Sequence, residues 1–306
     1  MLAHSLPAAV AQADADVLVI DNACEDDTAG LAARHGAAHL RLVPRRSYAA
    51  AINEGIRHAA NEAVLLLNAD CLLEPGFLAA AIPRLAEPGV GSVAPKLVRV
   101  TGFEGPEQQL HQIDAAGMVV DRRRKNGLVG HSRPEPSFPV RADAFGADGA
   151  AALYRRETLE DCAVAGEVLD EDMELWASDA DLAWRAQLLG WRCVYEPDAV
   201  ASHVRSYSPS TRWQMSESAR RLQFRNRYLM IVKNETGRGL ARDGALIAGY
   251  EVLALGHVLL RERHLLAGYR DAWRLLGAAR RRRALVQAKR RVALPPFGLR
   301  APEGPR

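Results

Sequence analysis

A chain of 306 residues with 48% apolar and 25% charged residues has the composition of an ordinary globular protein and enough length for one large core or two modest ones, which excludes a mostly disordered chain. The net charge is only +3, and the basic residues cluster locally at Arg280–Arg283 and at Lys289, Arg290 and Arg291. With no zinc-finger spacing or RNA-binding aromatic signature beside them, nucleic acid is not the expected partner. Cys24, Cys71, Cys162 and Cys193 are widely spaced, without a CxxC pair or an N-terminal secretory segment, so a reducing cytoplasm is the expected compartment.

In chain order, the β-branched run 17–21 reads as a strand and 28–35 as a helix. A second strand is expected at 39–43, then a helix over 47–60 with Ala51, Ile52, Ile56 and Ala59 on one face, then a buried strand at 63–67. After Pro75 a helix to about Ala86 and a strand at 90–95 follow. This alternation predicts an α/β fold with a mostly parallel sheet flanked by helices. Residues 101–145, rich in Gly, Pro and charge, read as loop apart from a strand near 117–120. A helix at 179–189 and a strand at 192–195 come next, and 216–290 read as mostly helical with a Pro-rich tail. No uninterrupted apolar run reaches the roughly 18 residues of a membrane span. The nearest, 244–260, carries Glu251 and His257 and suits a buried or membrane-surface helix.

Ligands of such sheets bind beyond the carboxyl ends of the strands, which directs attention to the polar residues that follow the apolar runs. Asp70, in Leu-Leu-Leu-Asn-Ala-Asp-Cys, is placed to hold Mg²⁺ or Mn²⁺ against a diphosphate, although an Asp after a strand also serves as a turn former. Asp21, Asn22, Glu25 and Asp27 follow the first strand. Neither G-x-x-x-x-G-K nor G-x-G-x-x-G stands there, so contact with a base or ribose fits better than a phosphate loop. Asp26 or Asp27 also reads as the cap of the helix near Thr28. Asp179 and Asp181 open a helix, where the macrodipole favours carboxylates, and one of them is a candidate general base. His203 is a candidate metal or diphosphate ligand or a structural histidine.

Taken together, Val-Leu-Val-Ile-Asp-Asn-Ala-Cys-Glu-Asp-Asp-Thr (17–28), Ala-Ala-Ala-Ile-Asn-Glu-Gly-Ile (49–56) and Leu-Leu-Leu-Asn-Ala-Asp-Cys (65–71) resemble the family 2 glycosyltransferases, in particular their bacterial rhamnosyltransferase-like branch. So do Ile-Asp-Ala-Ala-Gly (113–117), Asp-Gly-Ala-Ala-Ala-Leu-Tyr-Arg-Arg (148–156) and Asp-Ala-Asp-Leu-Ala-Trp-Arg-Ala-Gln-Leu-Leu-Gly-Trp (179–191). The resemblance covers roughly residues 5–234 and lies in the order and spacing of the set more than in any one motif.

The resemblance implies a GT-A fold in residues 1–215 with a helical extension over 216–306, and single-displacement, inverting transfer from a nucleotide-diphosphate sugar. It implies that Asp21, Asn22, Asn53 and Asn68 touch the nucleotide, that Asp70 and His203 hold the metal, and that Asp179 is the base. Arg225 and Arg227 would screen the diphosphate, with Asp181 and Trp184 beside the acceptor. The implied donor is dTDP-rhamnose, a UDP-sugar or a GDP-sugar. The acceptor is a glycan or a lipid-linked saccharide, in cell-wall or surface polysaccharide synthesis at the inner face of the plasma membrane. The chain departs from the family pattern twice: the family's first strand is expected to be missing, and Ser178 stands where the family usually has Glu. These departures keep a second class of reading open, a catalytically impaired relative serving as scaffold. A sugar nucleotidyltransferase is a third reading, but it calls for a Gly-rich phosphate loop.

Overall fold

The computed structural model describes residues 1–207 and 211–304. In chain order its elements are α1 (Leu2–Val10), β1 (Leu18–Asp21), α2 (Thr28–Arg34), β2 (Ala38–Arg41), α3 (Tyr48–His58), β3 (Ala63–Leu67), β4 (Cys71–Leu73), α4 (Phe77–Leu85) and β5 (Val90–Val100). There follow β6 (Gln109–Ala116), β7 (Met118–Val120), β8 (Asn126–Leu128), β9 (Ala142–Ala144), β10 (Ala151–Arg155), α5 (Arg156–Cys162), α6 (Ser178–Leu188) and β11 (Arg192–His203). Three long helices close the chain, α7 (Glu217–Asn234), α8 (Gly237–Leu260) and α9 (Leu266–Lys289).

The principal sheet runs β3-β10-β5-β11-β4, with β6 added to β5 and β9 to β11. β5 and β11 are parallel, and β10 lies antiparallel between β3 and β5, so β3, β5 and β11 point the same way. The expected direction therefore holds for these strands and for the parallel pair β1–β2, while β10, β4, β6 and β9 run against it. Among the described residues β1 pairs only with β2 and β3 only with β10, which leaves β1–β2 a separate two-stranded sheet. The segment read as loop, 101–145, supplies β6, β8 and β9 as well as the expected strand at 118–120. Its turn residues masked these strands: β6 is an addition to β5, β9 to β11, and β8 pairs with β7 in a small separate hairpin.

Period-two alternation divides the core. Along β10, Ala152 and Tyr154 face one cluster with Ala49, Ile56, Leu159 and Leu182, while Ala151 and Leu153 face another with Phe77, Ala81 and Leu85. Helices α3, α5 and α6 thus cover one face and α4 the other. Helix starts follow local chemistry: the side chains of Asp27, Ser47 and Ser216 accept from the backbone N–H of Gly30, Ala50 and Ala219.

The C-terminal helices are not a separate layer. Leu229 and Met230 of α7 and Ala279 and Val286 of α9 share one core with Met118, Phe145 and Trp184. The 215/216 division of the sequence reading therefore marks no break in packing. Trp184, expected beside the acceptor, is fully buried, with its indole edge-on to Phe297 at 5.0 Å between ring centroids. Its Ala substitution removes the side chain that joins α6 to the tail. We expect Trp184→Ala to lower stability by about 3–5 kcal/mol, measurable by urea denaturation; a loss below ~1 kcal/mol would contradict the core placement.

Candidate functional site

The carboxyl ends of β3, β5 and β11 gather one set of polar side chains. β3 ends at Leu67, and the turn to β4 carries Asn68 and Asp70. β10, antiparallel to β3, begins at this same end, so Asp148 and Gly149 stand beside that turn, with Asn68 N–H donating to Ala150 O at 2.9 Å. β11 ends at His203, paired with Cys71 of β4, and the chain continues to Arg205. On β6 the register jumps from Ala115–Leu97 to Ile113–Val98, leaving Asp114 as an extra residue. Such a bulge re-aims a side chain, and here it brings the Asp114 carboxylate to the end of β11.

Asp114 is fully buried. It accepts from His203 Nδ1 at 2.8 Å and from Arg205 Nε at 2.7 and 2.9 Å. Burial alone pushes its carboxyl up, but His131, His203 and Arg205 together hold it far below the usual carboxylate range. The reciprocal effect appears on His203. Burial opposes its charge, yet Asp114 and Asp70 raise it to about 9. With Nδ1 committed to Asp114, Nε2 faces Asp70 Oδ1 at 3.5 Å. Arg205 continues the chain of charges through Nη2 to Asp148 Oδ2 at 2.9 Å.

Asp179 closes the cluster from the first turn of α6, its Oδ2 accepting from Gly149 N–H at 3.2 Å. Its carboxyl is pushed up to about 6 by burial first and the charge of Asp148 second, against the Ala180 and Gly149 N–H groups and Arg205. Tyr48, at the start of α3, donates to Asn68 Oδ1 at 3.1 Å. Its phenol is pushed up by burial and then by Asp179, Asp148 and Asp70. Asp70, Asp148 and Asp179 therefore all lie close enough to act on this one hydroxyl.

The other sequence candidates divide. Asp21 is buried at the end of β1, its oxygens taken by Cys24 N–H at 2.7 Å, Arg41 at 2.5 Å and His39 at 3.2 Å. Burial raises its carboxyl, but these partners leave it lowered. Asn22 exchanges two hydrogen bonds with the backbone of Arg46, at 2.8 and 2.9 Å, and so fixes the loop before α3.

Five assignments are corrected by the packing. Asn53, placed at the nucleotide, is buried and spends its amide on the 169–171 segment: Leu169 N–H and C=O and the Glu171 carboxylate. Asp181, placed at the acceptor, is fully buried against Arg185, Lys233 and Asn234. Trp184 is core, as described above. Arg225, placed at the diphosphate, donates to Glu174 and to Asp172 O. Arg227 is held by Glu251 and by the carbonyls of Arg123 and Arg124.

Sequence reasoning assigned no role to Tyr48, Asp114, Asp148 or Arg205. Arg205 carried a readable signal, since it lies two residues beyond His203 and extended chain returns to the same side every second residue. Asp114 and Asp148 stood inside the quoted motifs, but only the bulge and the strand pairing show where they point.

An α/β sheet flanked by helices, with its polar cluster at the carboxyl ends of the strands, is the architecture of a GT-A-type glycosyltransferase. The family model described as "Glycosyltransferase like family 2" matches residues 1–228, and the chain belongs to that family. An uncharacterized glycosyltransferase of Mycobacterium tuberculosis (strain H37Rv) is 31% identical over 210 residues, covering 68% of this chain and 81% of the relative; a Mycobacterium bovis protein matches to the same extent. Among solved structures, S. aureus TarS 1-349 in complex with UDP-GlcNAc is similar at TM-score 0.57 and 15% identity, over 94% of this chain and 87% of that one. GalNAc-T7 with UDP, GalNAc and Mn²⁺ gives TM-score 0.55 and 11% identity over 75% of this chain, which spans 44% of that protein. At such identities these two likenesses speak for the fold.

The residues fit a divalent cation in one specific way. Asp70 Oδ1 is buried with no hydrogen-bond partner, and a ring nitrogen stands beside it. Among the described residues no group of three or more His, Cys, Asp or Glu is placed to hold a metal ion. Two protein ligands completed by phosphate oxygens is the mode in which Mg²⁺ is commonly bound at phosphate sites.

The raised carboxyl of Asp179 has a consequence for stability. The folded state holds this proton more tightly than the unfolded chain, whose Asp titrates near 3.9. This group's own contribution to stability is therefore most favourable below about pH 4, falls as pH rises to about 6 and stays at the lower level above it. We expect Asp179→Asn to be more stable than the parent at about pH 8, by on the order of 1–3 kcal/mol, with the difference vanishing near pH 4. Denaturation at the two pH values measures it; equal stability at both would remove the carboxylate from its buried, charge-crowded setting.

Proposed function

We propose that this chain is an inverting glycosyltransferase that moves a sugar from a nucleotide-diphosphate donor to a glycan or lipid-linked acceptor in cell-wall or surface polysaccharide assembly. The observation that carries the reading is one polar cluster at the carboxyl ends of the strands: a carboxyl held near 6 at Asp179 beside Gly149, the neighbouring Asp148 paired to Arg205, and the Asp70–His203 pair. Above about pH 6 the Asp179 carboxylate is ionised and accepts the proton of the acceptor hydroxyl. As the proton leaves, the hydroxyl oxygen bonds to the anomeric carbon, and the bond from that carbon to the diphosphate oxygen breaks with inversion. The proton ends on Asp179 and the electron pair on the departing nucleotide diphosphate.

Charge grows on that leaving group, and the Arg205 guanidinium, held in place by Asp114, meets it, while His203, oriented by the same carboxylate, serves as a ligand only once its Nε2 has given up its proton. Asp70 and His203 would hold Mg²⁺ or Mn²⁺, which supplies further neutralisation of the diphosphate when bound. Asp21 and Asn68 are assigned to the nucleotide.

For the donor, the branch resemblance favours dTDP-rhamnose, and the TarS complex with UDP-GlcNAc supports a UDP-sugar as the next choice; a GDP-sugar follows. The acceptor places the enzyme in the cytoplasm at the inner face of the plasma membrane. The impaired-relative reading draws on Ser178, which is buried with an unpartnered Oγ where the family usually has Glu. Asp179 nevertheless stands beside it in place.

Two measurements test the proposal. Nucleotide diphosphates with Mn²⁺, at about 100 times Kd, are expected to raise stability by roughly 2.7 kcal/mol, seen as a thermal shift that Asp70→Ala abolishes; no shift with any nucleotide would sink the donor assignment. In a transfer assay, kcat is expected to rise with pH through about 6. Asp179→Asn is expected to lower kcat on the order of 100-fold or more with donor affinity near normal. Undiminished turnover in that variant would take the base role from Asp179.

A further inference from the structure

Helix α8 presents an apolar face that none of the described residues covers. Leu246, Val252, Leu253, Leu255, Leu259 and Leu260 are exposed, Val252 by 71%, Leu253 by 73% and Leu260 by 79%. By length and composition the helix could cross a membrane, and only 11% of its most apolar window is buried. The sequence alternative of a buried helix is thereby corrected.

Its opposite face argues against a spanning role. Asp243 pairs with Arg122 and Arg124, and Glu251 with Arg227 and the Tyr228 hydroxyl. The Arg227 guanidinium also lies over the Tyr250 ring at 4.9 Å. These contacts bind two turns of the helix to the catalytic body, and pulling them into hydrocarbon would strand paired charges.

The surrounding charge is one-sided. The four acids of α8, α9 and the turn between them, Asp243, Glu251, Glu262 and Asp271, are all engaged by cations of the protein. By contrast Arg238, Arg261, Arg270, Arg280 and Arg281 are exposed, and none has a hydrogen-bond or ion-pair partner among the described residues. Trp273, exposed by 75%, stands among the arginines of α9. The basic run itself splits: Arg282 turns inward to Glu167, Asp170 and Asp172, and Arg283 to the carbonyls of Val232 and Glu235.

We propose that α8 lies in the plane of an anionic bilayer surface, its leucine face in the acyl boundary and the unpaired arginines on lipid phosphates. An apolar face with a cationic margin is the pattern of an interfacial helix. A second copy of the chain is a poorer occupant, because the same unpaired arginines would face one another. The inference stands apart from the transferase reading, since it needs neither donor nor acceptor.

The test is co-sedimentation of the full chain with vesicles of phosphatidylcholine plus phosphatidylglycerol, against phosphatidylcholine alone. The expected result is binding at least about tenfold stronger to the anionic vesicles and weakened by salt. The double substitution Val252→Asp/Leu253→Asp is expected to weaken it about tenfold or more, with unchanged melting because both side chains are exposed. Should that variant melt early, Arg280→Glu/Arg281→Glu provides a second arm and is expected to lose anionic binding by a similar factor. Three results would overturn the proposal: no binding of the parent to anionic vesicles, unchanged binding of the folded variants, or a dimer in solution that Val252→Asp/Leu253→Asp dissociates.

Discussion

One fully buried carboxylate, Asp114, organises the cleft. An ionised carboxylate taken from water without partners costs several kcal/mol, and the fold meets that cost by bringing His203 and Arg205 to it. Neither cation comes from the strand that carries Asp114. The arrangement therefore exists only when β6 and the end of β11 are both docked on β5, and the bulge at Asp114 is what aligns them. A single electrostatic demand thus links sheet register to the orientation of His203. Because Nδ1 is committed to Asp114, Nε2 is left for Asp70 and for whatever that carboxylate binds. Second partners of this kind set both the tautomer and the direction of a ligand histidine.

The same network accounts for the two carboxylates that titrate differently. Asp114 has two cations in contact and is held far down. Asp179 has none in contact; its polar partners are backbone N–H groups, and Asp148 repels it. Arg205 lowers it only in part, because its guanidinium is engaged by Asp114 and Asp148. One carboxylate is fixed as a structural anion and the other is left ready to take a proton, a separation of roles that environment alone produces.

β3, β5 and β11 of the principal sheet, and the pair β1–β2, could be read from the sequence because they are largely apolar runs; the turn after β3 and His203 could be found because they follow such runs, and Asp179 because it opens a helix. What could not be read was direction. On a helix, residues two apart lie about 200° apart, so Asp179 and Asp181 cannot both face the cleft. Asp181 shares its side of α6 with Trp184 and Arg185, and that side is the core. Arg225 and Arg227 diverge on α7 for the same reason, one toward 172–174 and the other toward Glu251. Asn53 was misplaced because a motif marks a segment without saying which side chain the packing consumes. β4, β6, β8, β9 and β10 were missed because each depends on its pairing partner and has little pattern of its own.

The reassigned residues still bear on the chemistry. The chain enters α6 through Glu174, Trp176 and Ala177, all non-glycine and all at positive φ, 59°, 72° and 58°. Left-handed backbone costs such residues roughly 1–2 kcal/mol apiece and persists only where the surroundings over-determine it. Here they do: the Asn226 amide donates to the carbonyls of Met173, Leu175 and Trp176, and Arg225 beside it holds Asp172 O and Glu174. Asp179 begins two residues after this segment, so its approach to Gly149 depends on α7. One residue further along α7, Arg227 grips Glu251 of α8. The helices that look like an appendage in the sequence therefore set the position of the Asp179 carboxylate, and they share a core with α6 instead of forming one of their own.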